Sequence, residues 1–333
     1  LNLLMLGMPL AIYLQHSGGE PSHVFGLSLL AIAPFAERLS FVTEQLAMHT
    51  SDVFGGLLNA TFGNVTELIV SLFALRYGML RIVQVSLIGS ILSNLLLVLG
   101  CAFFAGGIVV SQQRFSASVA SVSSSIMLLC VAGLLLPMLI DVSAEEVAPG
   151  ATLAISRAIS CVMIIVYAGF IYFQLATHSY LYEPAAEVSM ADTTERGLKD
   201  QEKRDMAAKA TALAAQDVDD EDEPILGVVE SIFWLAVITV AISVLSEYMV
   251  DSLEEAAEGW GVPDLFLGTI IIPVVGNAAE HAAAIIFAAK NKMELALSIA
   301  VGSSIQIGMF CVPALVLTAW WLDSPLSLNF GGF

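Results

Sequence analysis

Long apolar segments alternate with short polar turns along most of this chain. An apolar segment of about 20 residues is long enough to cross a bilayer as an α-helix. The pattern therefore predicts an all-α, polytopic membrane protein. We expect nine spans, roughly at residues 1–15, 22–47, 53–76, 81–110, 117–140, 151–177, 225–250, 263–289 and 293–322.

One long polar segment interrupts the apolar pattern. Residues 183–223 contain 13 acidic and 5 basic residues, a net charge of −8. If the N-terminus is cytosolic, the cytosolic loops, this segment included, hold 8 of the basic residues and the opposite loops hold 3. Because Lys and Arg concentrate in cytosolic loops, we expect an acidic cytosolic linker.

The two halves of the chain repeat at a constant offset of 213 residues. Five spans separate equivalent segments, so equivalent helices run in opposite directions and form an inverted repeat. The repeated pairs are Gly55/Gly268, Gly63/Gly276, Asn64/Asn277, Glu67/Glu280, Gly89/Gly302 and Ser90/Ser303.

The repeat divides the chain into four regions. The predicted fold is an inverted repeat of five-helix units plus an extra N-terminal helix. We expect that helix at residues 1–21, the first repeat with five transmembrane helices at 22–182, the acidic linker at 183–223, and the second repeat at 224–333. Only three helices of the second repeat are present, and the chain opens on Leu1. We therefore expect truncation at both ends, with the C-terminal helices of the second repeat missing.

Composition supports the membrane assignment. The chain is 57% hydrophobic and 13% charged, with a mean hydropathy of +0.84, so we expect the lipid bilayer as its medium. The net charge of −19 argues against nucleic acid as a partner and is compatible with cations. The four cysteines lie in apolar runs without paired spacing, as buried thiols do. The sequence leaves a homo-oligomer open.

Two glutamates carry most of the functional information. Glu67 and Glu280 each lie in an apolar span after a Gly-Asn pair. A charged side chain near the bilayer centre costs about 2.5–3.5 kcal/mol on insertion scales, and a buried Glu needs a partner. A single Glu could simply bond a neighbouring helix. Its duplication in register favours a shared cation site.

Calcium fits this pattern because it takes about 6–8 oxygen ligands in flexible geometry. Two carboxylates supply at most four oxygens, so neutral ligands must complete the shell. We expect carbonyls freed at Gly63 and Gly276 and amides from Asn64 and Asn277. The following helix of each half adds candidate ligands or hydrogen-bond donors: Ser90, Ser93, Asn94, Ser303, Ser304 and Gln306. Each could instead serve only to bond two helices.

The same carboxylates predict coupling to protons. Without a cation, two close buried carboxylates are stabilised by taking up protons. A site that holds either calcium or protons is what an antiporter requires. His281, directly after Glu280, could ligate metal, relay protons or tune its neighbour. Calcium is then a transported substrate and protons the counter-ion, with no cofactor and no enzymatic activity expected.

Further acidic residues suggest paths for cations. Glu247, Asp251 and Glu254, with Glu258, recur on one face of a helix that leaves its span. Glu37 and Glu44 are the counterparts in the first repeat, leading towards the other side of the membrane. A stripe of like charge in a cleft concentrates cations, although these residues could also be solvated helix ends.

These motifs resemble the calcium/proton exchanger (CAX) family of the cation/calcium antiporter superfamily. The matching segments are SFVTEQLA, GGLLNATFGNVTELIVSLFAL, GSILSNLLLVLG and IPVVGNAAEHAAAIIFAAKNKMELALSIAVGSSIQIGMF. The resemblance implies exchange of cytosolic calcium for lumenal protons at a vacuolar or similar acidic organelle membrane. It implies that Glu67 and Glu280 are the motif glutamates and that the acidic linker docks at the cytosolic mouth, although an acidic run could equally be only solvated.

Other functions remain open at this point. A sodium-coupled calcium exchanger would typically carry Gly-Thr-Ser-x-Pro-Glu/Asp at the equivalent helices, a motif that this sequence lacks. An exchanger of manganese or magnesium for protons would use the same residues. An intramembrane hydrolase would not explain the duplication, and a channel would conduct without proton coupling.

Overall fold

The computed structural model describes residues 2–143, 150–182 and 224–331. These residues form helices and short connections, with no strand in the described ranges. The predicted linker at 183–223 lies outside them, so the predicted division into regions stays a prediction.

The helices fall into two sets, one on each side of the linker. A 3₁₀ turn, Asn2–Leu6, precedes the first set: α1 (Gly7–Ser17), α2 (Pro21–Met48), α3 (Asp52–Phe62), α4 (Val65–Arg76), α5 (Leu80–Leu92), α6 (Leu99–Val109), α7 (Ala117–Ser143) and α8 (Ala151–Tyr172). The second set is α9 (Val228–Asp251), α10 (Leu253–Trp260), α11 (Asp264–Phe266), α12 (Ile272–Gly276), α13 (Ala278–Ala289), α14 (Met293–Gln306) and α15 (Val312–Trp321). Short π or 3₁₀ turns are Ser93–Val98, Phe173–Thr177, Ser179–Leu181, Leu267–Ile271 and Ile307–Cys311.

Six continuous helical segments in the described residues are long and apolar enough to cross a membrane. Each matches one of the nine predicted spans, and the chain is a multi-pass membrane protein. The segments are Pro21–Met48, Leu80–Val109, Ala117–Val142, Ala151–Thr177, Val228–Asp251 and Met293–Trp321. The predicted first span is a shorter apolar helix, Leu3–Ser17.

The two motif helices, predicted as spans at 53–76 and 263–289, are interrupted at the Gly-Asn pairs from which the sequence predicts freed carbonyls. The break between α3 and α4 falls at Gly63 and Asn64, and the break between α12 and α13 falls at Asn277. Both asparagines leave helical geometry, with φ/ψ of −116°/26° and −93°/13°. Glycine costs entropy in a helix and asparagine competes for its backbone hydrogen bonds, so the Gly-Asn pair favours a break.

The inverted repeat is visible in these irregularities. Glu67 lies in the first turn of α4 and Glu280 in the first turn of α13. The π turns Ser93–Val98 and Ile307–Cys311 fall at equivalent positions of the next helix in each half. Such π turns often mark functional sites in helices.

Two apolar clusters hold the broken helices in place. In one, Leu39 and Val42 of α2 pack with Ile238 and Ile242 of α9 and with Ile69 of α4. In the other, small residues bring α6, α13 and α14 close together: Ala102, Ala284, Ala288, Ala296 and Ala300. Small side chains allow this close approach of membrane helices.

Candidate cation site

A cavity of about 590 Å³ enters the helix bundle and reaches both motif glutamates. Tyr182, the last described residue before the linker, lines it. Glu44, near the C-terminal end of α2, also lines it. Oε1 of the next residue, Gln45, accepts the backbone N–H of Ile225, just after the linker, at 2.6 Å. The described residues on both flanks of the linker therefore lie beside residues that line the cavity, and we call this end the linker side.

The carboxylate of Glu280 is surrounded by hydrogen-bond donors. The Ser303 hydroxyl lies 3.2 Å from Glu280 Oε1 and 3.0 Å from Oε2, and Asn94 Nδ2 donates to Oε2 at 3.4 Å. Ser303 belongs to the same repeat as Glu280, whereas Asn94 belongs to the other repeat. The two halves of the chain therefore meet at this carboxylate.

Ser303 also links Glu280 to the helix break of the first repeat. Its hydroxyl lies 2.9 Å from Asn64 Oδ1, and Asn64 Nδ2 donates to Gln306 Oε1. Asn94 Nδ2 also lies 3.1 Å from the Ser303 hydroxyl. A hydroxyl has a single proton, so Ser303 donates to Glu280 or to Asn64 at any moment and accepts from Asn94.

Glu67 lies against the helix break of the opposite repeat. A Cβ placed on Gly276 would lie 3.7 Å from Glu67 Oε1. Both Glu67 and Glu280 are half-buried and line the same cavity. In the described residues, no side chain donates a hydrogen bond to the Glu67 carboxylate, so the two motif glutamates have unequal surroundings.

The polar groups around the two carboxylates are neutral. No group of three or more His, Cys, Asp or Glu residues suited to a metal occurs in the described ranges. Asn94 Oδ1 and Asn277 Nδ2 are buried without a hydrogen-bond partner among the described residues. Since the two ends of an amide are assigned rather than observed, Asn277 can present its oxygen as well. The arrangement offers two charged and several neutral oxygens to a divalent cation.

The remaining predicted site residues lie in three different surroundings. Gly63, Asn277 and Gln306 line the large cavity. Ser90 is buried and lines a smaller cavity beside Glu67. His281 lies outside the linings of the cavities described here, and its Nε2 is 3.2 Å from the hydroxyl of Ser93.

The acidic residues of the predicted paths lie at opposite ends of the molecule. Glu37 and Glu44 line the large cavity, and Glu37 forms an ion pair with Arg38 at 3.2 Å. Glu247 and Asp251 lie in the last two turns of α9, at the end away from the linker. We call that end the opposite side.

The prediction of one continuous acidic helix in the second repeat is wrong. Ser252 leaves helical geometry, so Glu254 lies on α10 rather than α9. Asp251 Oδ2 accepts a hydrogen bond from Gln15 of α1 at 2.9 Å. Burial and the carboxylates of Asp251 and Glu247 raise the pKa of Tyr77 above its usual range. Here Asp251 bonds neighbouring elements, and neither it nor Glu247, Glu254 or Glu258 lines a described cavity.

Sequence reasoning missed three polar side chains near Glu67 and the partners of Asp251. Thr66, Ser71 and Ser86 line the small cavity with Glu67, and Gln15 and Tyr77 contact Asp251. The spacing of Ser86 and Ser90, four residues apart on one helix face, was the available signal for the small cavity.

Broken helices of an inverted repeat that meet at a cavity lined by carboxylates define a secondary transporter. The family described as "Sodium/calcium exchanger protein" matches residues 22–176 and 230–333. The chain belongs to this family, and the resemblance predicted from the motifs is confirmed.

Curated plant proteins are similar to almost the whole chain. "Vacuolar cation/proton exchanger 5" of Arabidopsis thaliana is 47% identical over 333 residues, which cover 99% of this chain and 70% of the relative. "Vacuolar cation/proton exchanger 3" of Oryza sativa subsp. japonica is 44% identical over 333 residues, which cover 99% of this chain and 75% of the relative.

Solved structures share the fold. Native YfkE has a TM-score of 0.75 and 32% identity, with 98% of this chain and 84% of YfkE covered. Another structure, described as an H⁺/Ca²⁺ exchanger CAX, has a TM-score of 0.66 at 16% identity and covers 98% of this chain and 74% of its own. The second match shows a common fold only.

Proposed function

We propose that this chain exchanges cytosolic calcium for lumenal protons at a vacuolar membrane. The single observation that carries the proposal is that Glu67 and Glu280, from inverted halves of the chain, line one cavity with neutral oxygens around them. The relatives named vacuolar cation/proton exchangers support exchange and location. The YfkE protein, described as a Ca²⁺/H⁺ antiporter at 32% identity, supports calcium as the cation.

Calcium suits the donor set better than magnesium does. Magnesium requires near-ideal octahedral geometry and gives up its water reluctantly, whereas calcium accepts irregular shells of about 6–8 oxygens. Glu67 and Glu280 supply two charges, and Asn64, Asn277 and Ser303 supply neutral oxygens nearby. A shell built from flexible side chains is irregular, which favours calcium.

Proton coupling follows from the charge of the empty pair. With calcium bound, two carboxylates neutralise two positive charges. After calcium leaves, their repulsion in a medium of low dielectric is relieved when protons bind. The site can then change the side of the membrane that it faces with either calcium or protons bound. The proton gradient thereby drives calcium in the opposite direction.

The repeats adopt unequal arrangements, as alternating access requires. A Cβ on Gly89 would lie 2.1 Å from the carbonyl oxygen of Thr269, so these helices touch on the opposite side. Its repeat counterpart Gly302 lines the large cavity and would meet no described heavy atom within 4 Å. We assign this arrangement to a state that is open to the cytosol and closed to the lumen.

Calcium uptake into proteoliposomes with an acidic interior tests the proposal. We expect uptake driven by the pH gradient, abolished by a protonophore and unaffected when sodium is replaced by potassium. Uptake that needs a sodium gradient would establish the sodium-coupled alternative instead. Competition by manganese or magnesium at concentrations equal to calcium would assign the cation, and we expect calcium to be preferred.

A further inference from the structure

A second, much smaller cavity lies behind Glu67, away from the linker side. It measures about 20 Å³ and is lined by Leu29 and Ile32 of α2, Ser86 and Ser90 of α5, and Met249 of α9. All of these residues lie in the halves of their membrane-spanning segments nearer the opposite side. The small cavity is therefore on the far side of Glu67 from the large one.

Thr66, Glu67 and Gly276 line both cavities and so form the partition between them. Glu67 is the only titratable residue that lines both of them in the described part of the chain. Its carboxyl group can therefore exchange a proton with either cavity without crossing an apolar layer.

The small cavity has the size of one water molecule, and five polar side chains contribute to its mostly apolar lining: Thr66, Glu67, Ser71, Ser86 and Ser90. A cavity needs roughly 10–15 Å³ and about 2–4 polar partners to hold a water. Thr66, Ser71 and Ser90 are buried residues that line this cavity, and their hydroxyls form no hydrogen bond with any described residue. Ser86 donates to the carbonyl of Val83 at 3.1 Å and keeps its lone pairs for another donor. A water molecule in the cavity would provide these hydroxyls with a hydrogen-bond partner.

Three of the four hydroxyls in the small cavity are present in the first repeat only. At the offset of 213 residues, Thr66, Ser71 and Ser86 correspond to three apolar residues, and only Ser90 keeps its hydroxyl, as Ser303. The apolar counterparts are Ala279, Ala284 and Ile299. Residues that merely bond helices together would not need to differ in this way. The polar cavity is thus a special property of the Glu67 half.

An apolar barrier separates the small cavity from the opposite side. Leu29, Ile32 and Met249 are 5%, 1% and 0% exposed. A continuous chain of water from Glu67 to the lumen would let protons cross without calcium, because Glu67 also faces the large cavity. The barrier prevents that loss while the linker side is open.

We propose that the small cavity binds one water molecule that transfers protons between the lumen and Glu67, and that Leu29, Ile32 and Met249 close it while the site faces the cytosol. This inference rests on the proposed exchange of calcium for protons. When the barrier opens, a hydronium ion breaks one O–H bond and an O–H bond forms on the Glu67 carboxylate, leaving neutral water. Glu280, held by Ser303 and Asn94, receives its proton after Glu67.

The test measures proton flow in proteoliposomes that carry a pH gradient and contain no calcium, using a trapped pH-sensitive dye. Met249→Ala opens the barrier, and we expect it to raise the proton leak at least about tenfold over the unaltered chain. Met249→Leu, which conserves volume, and Met163→Ala, another buried methionine outside both cavities, should leak no faster than the unaltered chain. Addition of Glu67→Gln to Met249→Ala should abolish the leak.

Two results would overturn the inference: no leak in a Met249→Ala protein that still takes up calcium, or a leak that survives Glu67→Gln. If Met249→Ala does not fold, Ser86 provides the test. Ser86→Ala should lower the maximal uptake rate about fivefold with an unchanged KM for calcium, whereas Ser86→Thr should match the unaltered chain. Ser160, a buried serine of α8 that donates to the Ser156 carbonyl outside both cavities, provides the control, and Ser160→Ala should also match the unaltered chain. Equal rates in Ser86→Ala and Ser86→Thr would also overturn it. Failure of the unaltered chain to couple uptake to protons would refute the proposed function instead.

Discussion

Replacing Ser303 by alanine removes the hydroxyl through which the two repeats meet at Glu280. That hydroxyl lies 3.0 Å from Glu280 Oε2, 2.9 Å from Asn64 Oδ1 and 3.1 Å from Asn94 Nδ2. Its loss leaves Oδ1 of Asn64 without a hydrogen-bond donor and removes one donor from the ionised carboxylate of Glu280. Both effects act on the state that binds a cation.

The size of the effect follows from the charge of the acceptor. A hydrogen bond to a charged group contributes about 1.5–3 kcal/mol. Since about 1.4 kcal/mol corresponds to tenfold in an equilibrium constant, Ser303→Ala should weaken calcium binding by roughly 10- to 150-fold. We expect this loss as a rise in the KM for calcium on the linker side, measured by initial rates of uptake at a fixed pH gradient.

Ser304 provides a matched control for this measurement. It is the next residue, is fully buried, and donates to the carbonyl of Ala300 in its own helix at 2.8 Å. Ser304→Ala removes the same atom but leaves the site intact, so its KM should change less than about twofold. Equal KM values for Ser303→Ala and Ser304→Ala would refute the assignment of Ser303 to the site.

Two further predictions concern packing and the histidine beside Glu280. Gly89→Ala places a Cβ 2.1 Å from the Thr269 carbonyl and should cost about 1–3 kcal/mol, lowering the thermal midpoint in detergent, whereas Gly302→Ala should not; equal midpoints would contradict this packing. His281→Leu removes the contact with Ser93 at 3.2 Å, a hydrogen bond that contributes about 0.5–1.5 kcal/mol, and should slow uptake roughly two- to twelvefold, whereas His281→Gln should retain most of the rate. A His281→Gln protein that is as slow as His281→Leu would indicate a direct role in proton transfer.

The repeat made much of the fold predictable. Gly-Asn-x-x-Glu at residues 63–67 and 276–280 recurs in register, and an ionisable side chain in an apolar span has few stable environments. These two constraints led to both motif glutamates and to the inverted repeat. The six long spans follow from length and apolar composition alone.

The cross-repeat bonds were less predictable than the helix breaks. Hydropathy does not reveal a break within an apolar span, but the Gly-Asn pairs at 63–64 and 276–277 indicated where residues 53–76 and 263–289 are interrupted. The bond between Asn64 and Gln306 joins residues 242 positions apart, and nothing in local sequence pairs them. The break at Ser252 likewise depends on the packing of α10 against α2, which the local sequence does not show.

The unequal packing of the two repeats could not be predicted at all. A transporter adopts at least two arrangements with one sequence, and their free energies differ by only a few kcal/mol. Sequence symmetry between Gly89 and Gly302 predicts equal surroundings, yet one is packed and the other lines the large cavity. The different packing of the two glycines therefore depends on which conformation the protein adopts, and the sequence does not specify it.

The central claim is that Glu67 and Glu280 together hold either calcium or protons. Its most direct test is calcium uptake into proteoliposomes with an acidic interior by Glu67→Gln and Glu280→Gln. Glu294→Gln, in the first turn of α14 and outside the large cavity, serves as the control. We expect each motif variant to lose proton-driven uptake while it stays folded in detergent, and the control to transport normally. Uptake that survives either motif substitution would contradict the two-carboxylate site.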